Sequence, residues 1–162
     1  MGKGFSGHKS PVGLSDEWIT PPYIVAALGR FDLDTCSPVN RPYDIADVHY
    51  TVNDNGLVLP WSNRVWLNPP YSEIDTWMKK MADHANGCAL VFARTDTKWF
   101  RDHVWDRAEA LLFLYGRLTF LDTQGKTARY NGGAPSVIVA YGENNVQCLK
   151  TSGLNGKFVK IT

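Results

Sequence analysis

The sequence predicts an α/β domain built on one mixed sheet, with its first strands alternating with helices and its last strands pairing antiparallel at an edge. Three observations carry that expectation. Val65-Trp66-Leu67 and Cys88-Ala89-Leu90-Val91-Phe92-Ala93 are apolar without alternation, as in strands covered on both faces. Between them, Ile74, Trp77, Met78, Met81 and Ala82 recur at helical spacing. From about residue 110 onward, strand-like runs follow one another across short turns.

Each element has its own local reason. Thr20-Pro21-Pro22 breaks the chain, and Pro22 suits the first turn of a short helix through Leu28, stopped by Gly29. Phe31-Asp32-Leu33-Asp34-Thr35-Cys36 alternates apolar and polar and reads as a first strand. A second strand is expected around Val48 to Val52, followed by the turn Asn53-Asp54-Asn55-Gly56. Val65 to Leu67 form a third. Ser72-Glu73-Ile74-Asp75 reads as a capping-box variant opening a helix to about Ala85. Cys88 to Ala93 is a buried strand, and Thr95-Asp96-Thr97 caps a helix from Lys98 to Arg107. Ala110 to Leu114 and Leu118 to Leu121 are expected strands, with a hairpin turn at Asp122-Thr123-Gln124-Gly125. Ser136 to Tyr141 reads as a last central strand, and residues 143–162 as a weakly patterned stretch forming a small edge hairpin. The pattern as a whole is Rossmann-like.

At 162 residues the chain is expected to form a single domain over residues 16–162, preceded by a Gly-, Ser- and Lys-containing arm over 1–15. No apolar run approaches a membrane span, and the first residues lack the apolar core of a signal peptide. Three widely spaced cysteines match neither a zinc nor a disulfide framework and suit a reducing cytosol. The four histidines carry no metal spacing, so no metal is expected. A net charge of +1 means that any nucleic-acid face comes from local clusters. Lys3, His8 and Lys9, Lys98 and Arg101, and Lys126 and Arg129 are such clusters, each equally readable as solvated surface charge. The oligomeric state stays open.

The most informative stretch is Asn68-Pro69-Pro70-Tyr71. Two prolines remove two backbone donors and fix φ twice, and Pro69 drives Asn68 out of the α region. The result is a stiff shelf at a strand tip, where open α/β sheets bind ligands. An amide and carbonyl oxygens beside an aromatic face suit a planar ring with an exocyclic amine: the amine donates to Asn68 Oδ1 and the Pro69 carbonyl while Tyr71 stacks. That chemistry points to an amino-methyltransferase acting on a nucleobase. An ordinary turn after a strand is the alternative reading of these four residues.

Further motifs occur in a fixed order: Thr20-Pro21-Pro22, Phe31-Asp32-Leu33-Asp34, Asp54-Asn55-Gly56-Leu57 with Pro60-Trp61, Asn68-Pro69-Pro70-Tyr71, Arg94-Thr95-Asp96-Thr97-Lys98-Trp99-Phe100 and Gly116-Arg117-Leu118-Thr119-Phe120. With them the chain, from Asp16 to about Gly142, resembles the phage-type DNA N6-adenine methyltransferase family (Dam-like). The resemblance implies a Rossmann-like methyltransferase fold and methyl transfer from S-adenosylmethionine to adenine N6 in double-stranded DNA. It also implies a phage or prophage origin and action in the bacterial cytoplasm. Asn68, Pro69, Pro70 and Tyr71 would be catalytic. Thr20, Pro21, Asp34, Ser37, Asp54 and Asn68 would bind the cofactor, with Asp34 toward the cationic methionine end and Asp54 accepting from the cofactor's adenine amine. Asp34 also reads as a strand-end carboxylate, Thr20 as a helix cap and Asp54 as part of a plain turn. Arg94, Lys98, Trp99 and Asn131 are the DNA-contact candidates, and Trp99 also reads as helix core. After the first strand the chain has Thr35-Cys36-Ser37-Pro38 and no glycine, a departure from the family's usual cofactor loop. Two other readings stay open: N-methyl transfer to a protein glutamine or to RNA, and a degenerate relative that only binds DNA.

Overall fold

The computed structural model describes residues 18–127 and 133–161. The arm expected over 1–15, the basic residues Lys3, His8, Lys9 and Arg129, and the candidate Asn131 lie outside the described residues.

Seven strands form one sheet: β1 (Phe31–Asp34), β2 (Ala46–His49), β3 (Val65–Leu67), β4 (Gly87–Phe92), β5 (Ala110–Leu114), β6 (Ser136–Tyr141) and β7 (Gly156–Lys160). The order across the sheet is β2-β1-β3-β4-β6-β5-β7. β2, β1, β3 and β4 are mutually parallel, whereas β6 opposes β4, β5 opposes β6 and β7 opposes β5. The sheet is therefore mixed, with antiparallel pairing on one side.

Helices cover both faces. On one face α2 (Ile74–His84) and α3 (Lys98–Phe100), which runs on into a π-helical stretch at Arg101–Trp105, lie over Leu33, Val65, Leu67, Val91 and Val139. Trp77, Met78, Met81 and Ala82 are the buried stripe of α2, matching the helical spacing in the sequence. On the other face α1 (Pro22–Leu28) and α4 (Glu143–Lys150) pack against Phe31, Trp66, Cys88, Leu90 and Ile138. Because β3 and β4 are sandwiched between these layers, their runs are continuously apolar.

Several boundaries differ from the sequence expectation. Residues 118–121 form no strand; only Leu121 bridges, to Ile19 and Thr127, closing the tight turn in which Asp122 Oδ1 accepts from Gln124 N–H and Lys126 N–H. Within the range 143–162, the described residues to 161 form no hairpin: they supply α4 and then β7, whose backbone pairs with β5. The second strand lies earlier, at Ala46–His49. The expected capping box before α2 is absent, its place taken by a 3-10 turn at Tyr71–Glu73 with no side-chain cap. Thr97 turns its hydroxyl back to the Arg94 carbonyl instead of capping α3.

Topology places the site. The chain leaves β1 for β2 at the outer edge, then crosses back to β3 on the other side of β1. Strand order reverses there, and the crevice beyond the carboxyl ends of β1 and β3 is where such sheets hold ligands.

Candidate functional site

β1 ends at Asp34 and β3 at Leu67, so Asp34 and Asn68 emerge side by side. The two prolines keep the chain extended after Asn68, with Pro70 at φ −69° and ψ 147°, and the 3-10 turn then hands over to α2. Pro69 is buried and Pro70 exposed. A cavity of about 850 Å³ opens at this point, within the usual range for small-molecule sites. Its walls include Ser37, Gly56, Asn68, Tyr71, Phe92 and Ser136.

Asn68 Nδ2 donates to Thr20 Oγ1 at 3.3 Å. Thr20 is itself buried, and the residue preceding α1 is Pro21, so Thr20 does not cap that helix. This bond holds the Asn68 amide with its nitrogen turned toward Thr20. Among the described residues no donor reaches Asn68 Oδ1, which is left as an acceptor. Tyr71 stacks on Phe92, with ring centroids 4.9 Å apart and planes 10° from parallel. Its hydroxyl accepts from Phe92 N–H at 2.6 Å, and burial pushes the phenol up to about 12. The phenol stays neutral, and the stack makes a flat aromatic platform beside Asn68.

Asp34 is buried, and no ion pair reaches it among the described residues. Its carboxylate accepts from Cys36 N–H at 3.3 Å. Burial pushes its pKa up from 3.8 to about 7, against the opposing pull of Cys36, Ser37 and Arg41. With Thr20, Arg41, Tyr43 and Asn68 it lines a small niche of about 10 Å³ next to the main cavity, which Trp18, Ile19 and Trp66 also line. The Tyr43 hydroxyl in that niche has no hydrogen-bond partner among the described residues. Ser37 lies in the wall common to both spaces.

The opposite wall is the segment 51–57. Gly56 backs so closely on Thr35 that a Cβ there would lie 2.1 Å from the Thr35 carbonyl oxygen. The sequence around the first strand lacks glycine because the close approach comes from Gly56, which is twenty residues away from Cys36. Lys80 of α2 reaches across and donates to the carbonyls of Gly56 at 3.0 Å and Leu57 at 3.1 Å, and also to that of Leu59. Asp54 is not brought into the cavity wall: it is exposed, and its Oδ2 accepts from Thr51 N–H at 2.8 Å within the turn.

The DNA-contact candidates separate. Arg94 is exposed, its guanidinium 5.7 Å from the centre of the Phe92 ring. Lys98 is exposed and paired with Asp102. Trp99 follows the helix-core reading of the two that the sequence offered: with 9% of its surface exposed it packs with Phe100 in the core. The cavity wall also includes side chains that sequence reasoning did not select as site residues, Trp18, Trp77, Phe120 and Ser136 among them. Among the described residues, Trp77 Nε1 and Ser136 Oγ are buried there without partners. No pattern of spacing signals them, because their role depends on which strands and loops meet. Among the described residues no group of His, Cys, Asp or Glu could hold a metal, and no helix is long and apolar enough to cross a membrane.

Fold and site together define a class: an α/β protein with a ligand cavity at the carboxyl ends of its parallel strands, whose wall carries both an amide acceptor and an aromatic stack. The comparisons narrow it. The family model for DNA N-6-adenine-methyltransferase (Dam) matches residues 7–154, and the chain belongs to that family. A DNA N-6-adenine-methyltransferase of Escherichia phage T1 is 30% identical over 120 residues, covering 68% of this chain and 50% of that one. The chain thus spans about half the length of this relative. No solved structure matches.

Proposed function

We propose that this protein is an S-adenosylmethionine-dependent methyltransferase of Rossmann-like fold that methylates adenine N6 in double-stranded DNA. The observation that carries the reading is Asn68, its Oδ1 unclaimed beside the Tyr71–Phe92 platform at the cavity mouth.

The residues present fit the cofactor. The cavity has the volume for a nucleoside-sized ligand, and Asp34 is a buried carboxylate that no ion pair reaches among the described residues, suited to the ammonium of a methionine end. Thr20, Pro21, Asp34 and Ser37 hold that end, and segment 51–57 walls the remainder. Asp54 acts at one remove, by fixing Thr51 and with it the shape of the wall. When bound, S-adenosylmethionine supplies a methyl group on a sulfonium.

The chain's own groups prepare the acceptor. A duplex adenine has to leave the stack to reach them, which costs a few kcal/mol. Tyr71 receives its ring, and Asn68 Oδ1 and the Pro69 carbonyl accept the two amine protons. Those bonds favour a pyramidal nitrogen and concentrate its lone pair for attack, so they strengthen toward the transition state. The amine is neutral, so no base is required before attack, and the extra proton departs afterwards. Arg94 and Lys98 stand on the exposed rim and contact phosphate. The phage origin of the T1 relative supports action in the cytoplasm of a bacterial host.

The test is to sequence DNA from cells expressing the protein, with detection of N6-methyladenine. Wild type should add the mark, and Asn68→Ala should abolish it while still binding S-adenosylmethionine by titration calorimetry. Methylation of a protein extract or RNA in place of DNA, or an active Asn68→Ala variant, would overturn the reading.

A further inference from the structure

Pro60-Trp61 belongs to the ordered motifs of the sequence, yet Trp61 does not line the cavity. It lies half-buried along α2, against three side chains spaced along one helical face. Trp77 stacks on it, with ring centroids 6.3 Å apart and planes 23° from parallel. Lys80 Nζ stands 5.0 Å from the centre of its ring, a cation–π contact. His84 meets it edge-on, with centroids 5.9 Å apart. The indole Nε1–H then donates to the Gly56 carbonyl at 2.7 Å. Gly56 and Trp77 are both in the cavity wall and are close neighbours, since a Cβ on Gly56 would come 3.1 Å from Trp77 Cη2. Trp61, Gly56 and Trp77 thus form a closed triangle, with two corners in the wall and the third behind it. Gly56 also packs on the Thr35 carbonyl, next to the end of β1. The triangle therefore keys α2 to the strand tip that carries Asp34.

We infer that Trp61 is a positioning residue for the methyl donor: it fixes the Gly56–Trp77 part of the wall relative to Asp34 and Ser37 without touching the ligand. This rests on the cofactor reading above, in which Asp34 and Ser37 take the methionine end and segment 51–57 walls the remainder. A ligand gripped at both places needs them at one set distance. An aliphatic side chain at position 61 would cover α2 but leave the Gly56 carbonyl to Lys80 alone. The indole does both, because its ring packs on the helix while its N–H reaches the loop.

Two variants test this. Trp61→Phe keeps a ring between Trp77 and Lys80 but cannot donate to Gly56, and Trp61→Leu loses the ring as well. In titration calorimetry, S-adenosylhomocysteine should bind Trp61→Phe about fivefold more weakly than wild type, the scale of one lost hydrogen bond, and Trp61→Leu more weakly still. On unmethylated genomic DNA, kcat of Trp61→Phe at saturating S-adenosylmethionine should stay within about twofold of wild type, because a residue acting on donor binding alone raises KM and leaves kcat. The Val58 and Leu59 amides, which donate to the Asn55 carbonyl at 3.0 and 3.2 Å, should exchange faster in Trp61→Phe by a larger factor than the amides of β4. Unchanged affinity in Trp61→Phe overturns the inference, whether or not Trp61→Leu folds. So does a fall in kcat as large as the loss of affinity, or equal quickening of exchange in β4 and at residues 58 and 59, since either makes Trp61 a residue of the fold at large. Wild type that binds no S-adenosylhomocysteine overturns the cofactor reading and this inference with it. Binding that weakens as expected in the variant supports the inference even if wild type leaves DNA unmethylated, an outcome that would refute the DNA reading alone.

Discussion

Asp34→Asn should stabilise this protein at alkaline pH and weaken cofactor binding. In the folded protein the Asp34 proton is held up to about pH 7, against 3.8 ordinarily, because burial disfavours the charged form. The native state therefore loses stability as pH rises between those values, and the full penalty is present above about 7. A shift of roughly three units at 1.36 kcal/mol each gives a penalty of ~4 kcal/mol at pH 8, falling to about 0.5 kcal/mol at pH 4. Asparagine keeps the size and has no charge to desolvate, but it weakens the bond from Cys36 N–H. The stability difference between variant and wild type should therefore shift in favour of the variant by about 4 kcal/mol between pH 4 and pH 8. Urea denaturation at several pH values measures this directly. If the difference does not change with pH, Asp34 is ionised and well solvated in the free protein, and the argument from burial fails. A cationic ligand end at Asp34 should relieve the same penalty, so wild type should bind S-adenosylmethionine more tightly than Asp34→Asn does at pH 8.

Three other outcomes follow from the geometry. Gly56→Ala puts a methyl 2.1 Å from the Thr35 carbonyl, so the two loops have to part; a loss of 1–3 kcal/mol in denaturation and weaker cofactor binding in calorimetry are expected, as estimated for overpacking. Tyr71→Phe removes the acceptor for Phe92 N–H but keeps the ring, so stability should fall by about 1 kcal/mol while methylation stays within a fewfold of wild type, whereas Tyr71→Ala should lose methylation. Trp99→Ala should cost roughly 3–5 kcal/mol in chemical denaturation, and any change in DNA affinity should track the fraction folded.

What the sequence reveals depends on whether a feature is local. Val65 to Leu67 is legible as a strand because both sheet faces are covered and every side chain is apolar. Pro22 and Gly29 mark the ends of α1 for reasons contained in those residues alone. The strand-tip positions of Asp34 and Asn68 follow from the same runs. α4 is not legible, since one of its buried residues is Asn145, held by Arg64 Nε at 2.6 Å, Asn86 Oδ1 at 2.9 Å and the Tyr141 carbonyl at 2.8 Å. Two of those partners lie 81 and 59 residues away, and no periodicity announces them. β7 escapes notice because its pairing with β5 uses backbone groups that every sequence has. Trp99 shows where local signals leave two readings: motif order pointed to the rim and helical position to the core, and the packing of α3 against the sheet puts it in the core. Ser136 and Gly56 matter only because β4 meets β6 and because residue 56 meets residue 35.

Lys80 has a consequence of a different kind. One ammonium group, anchored on a helix, rivets three carbonyl dipoles of the 56–59 segment before any ligand arrives. That side of the cavity is set during folding, so a ligand meeting it should be spared the entropy of ordering a loop. Ligand discrimination on that side then comes from shape that is already in place.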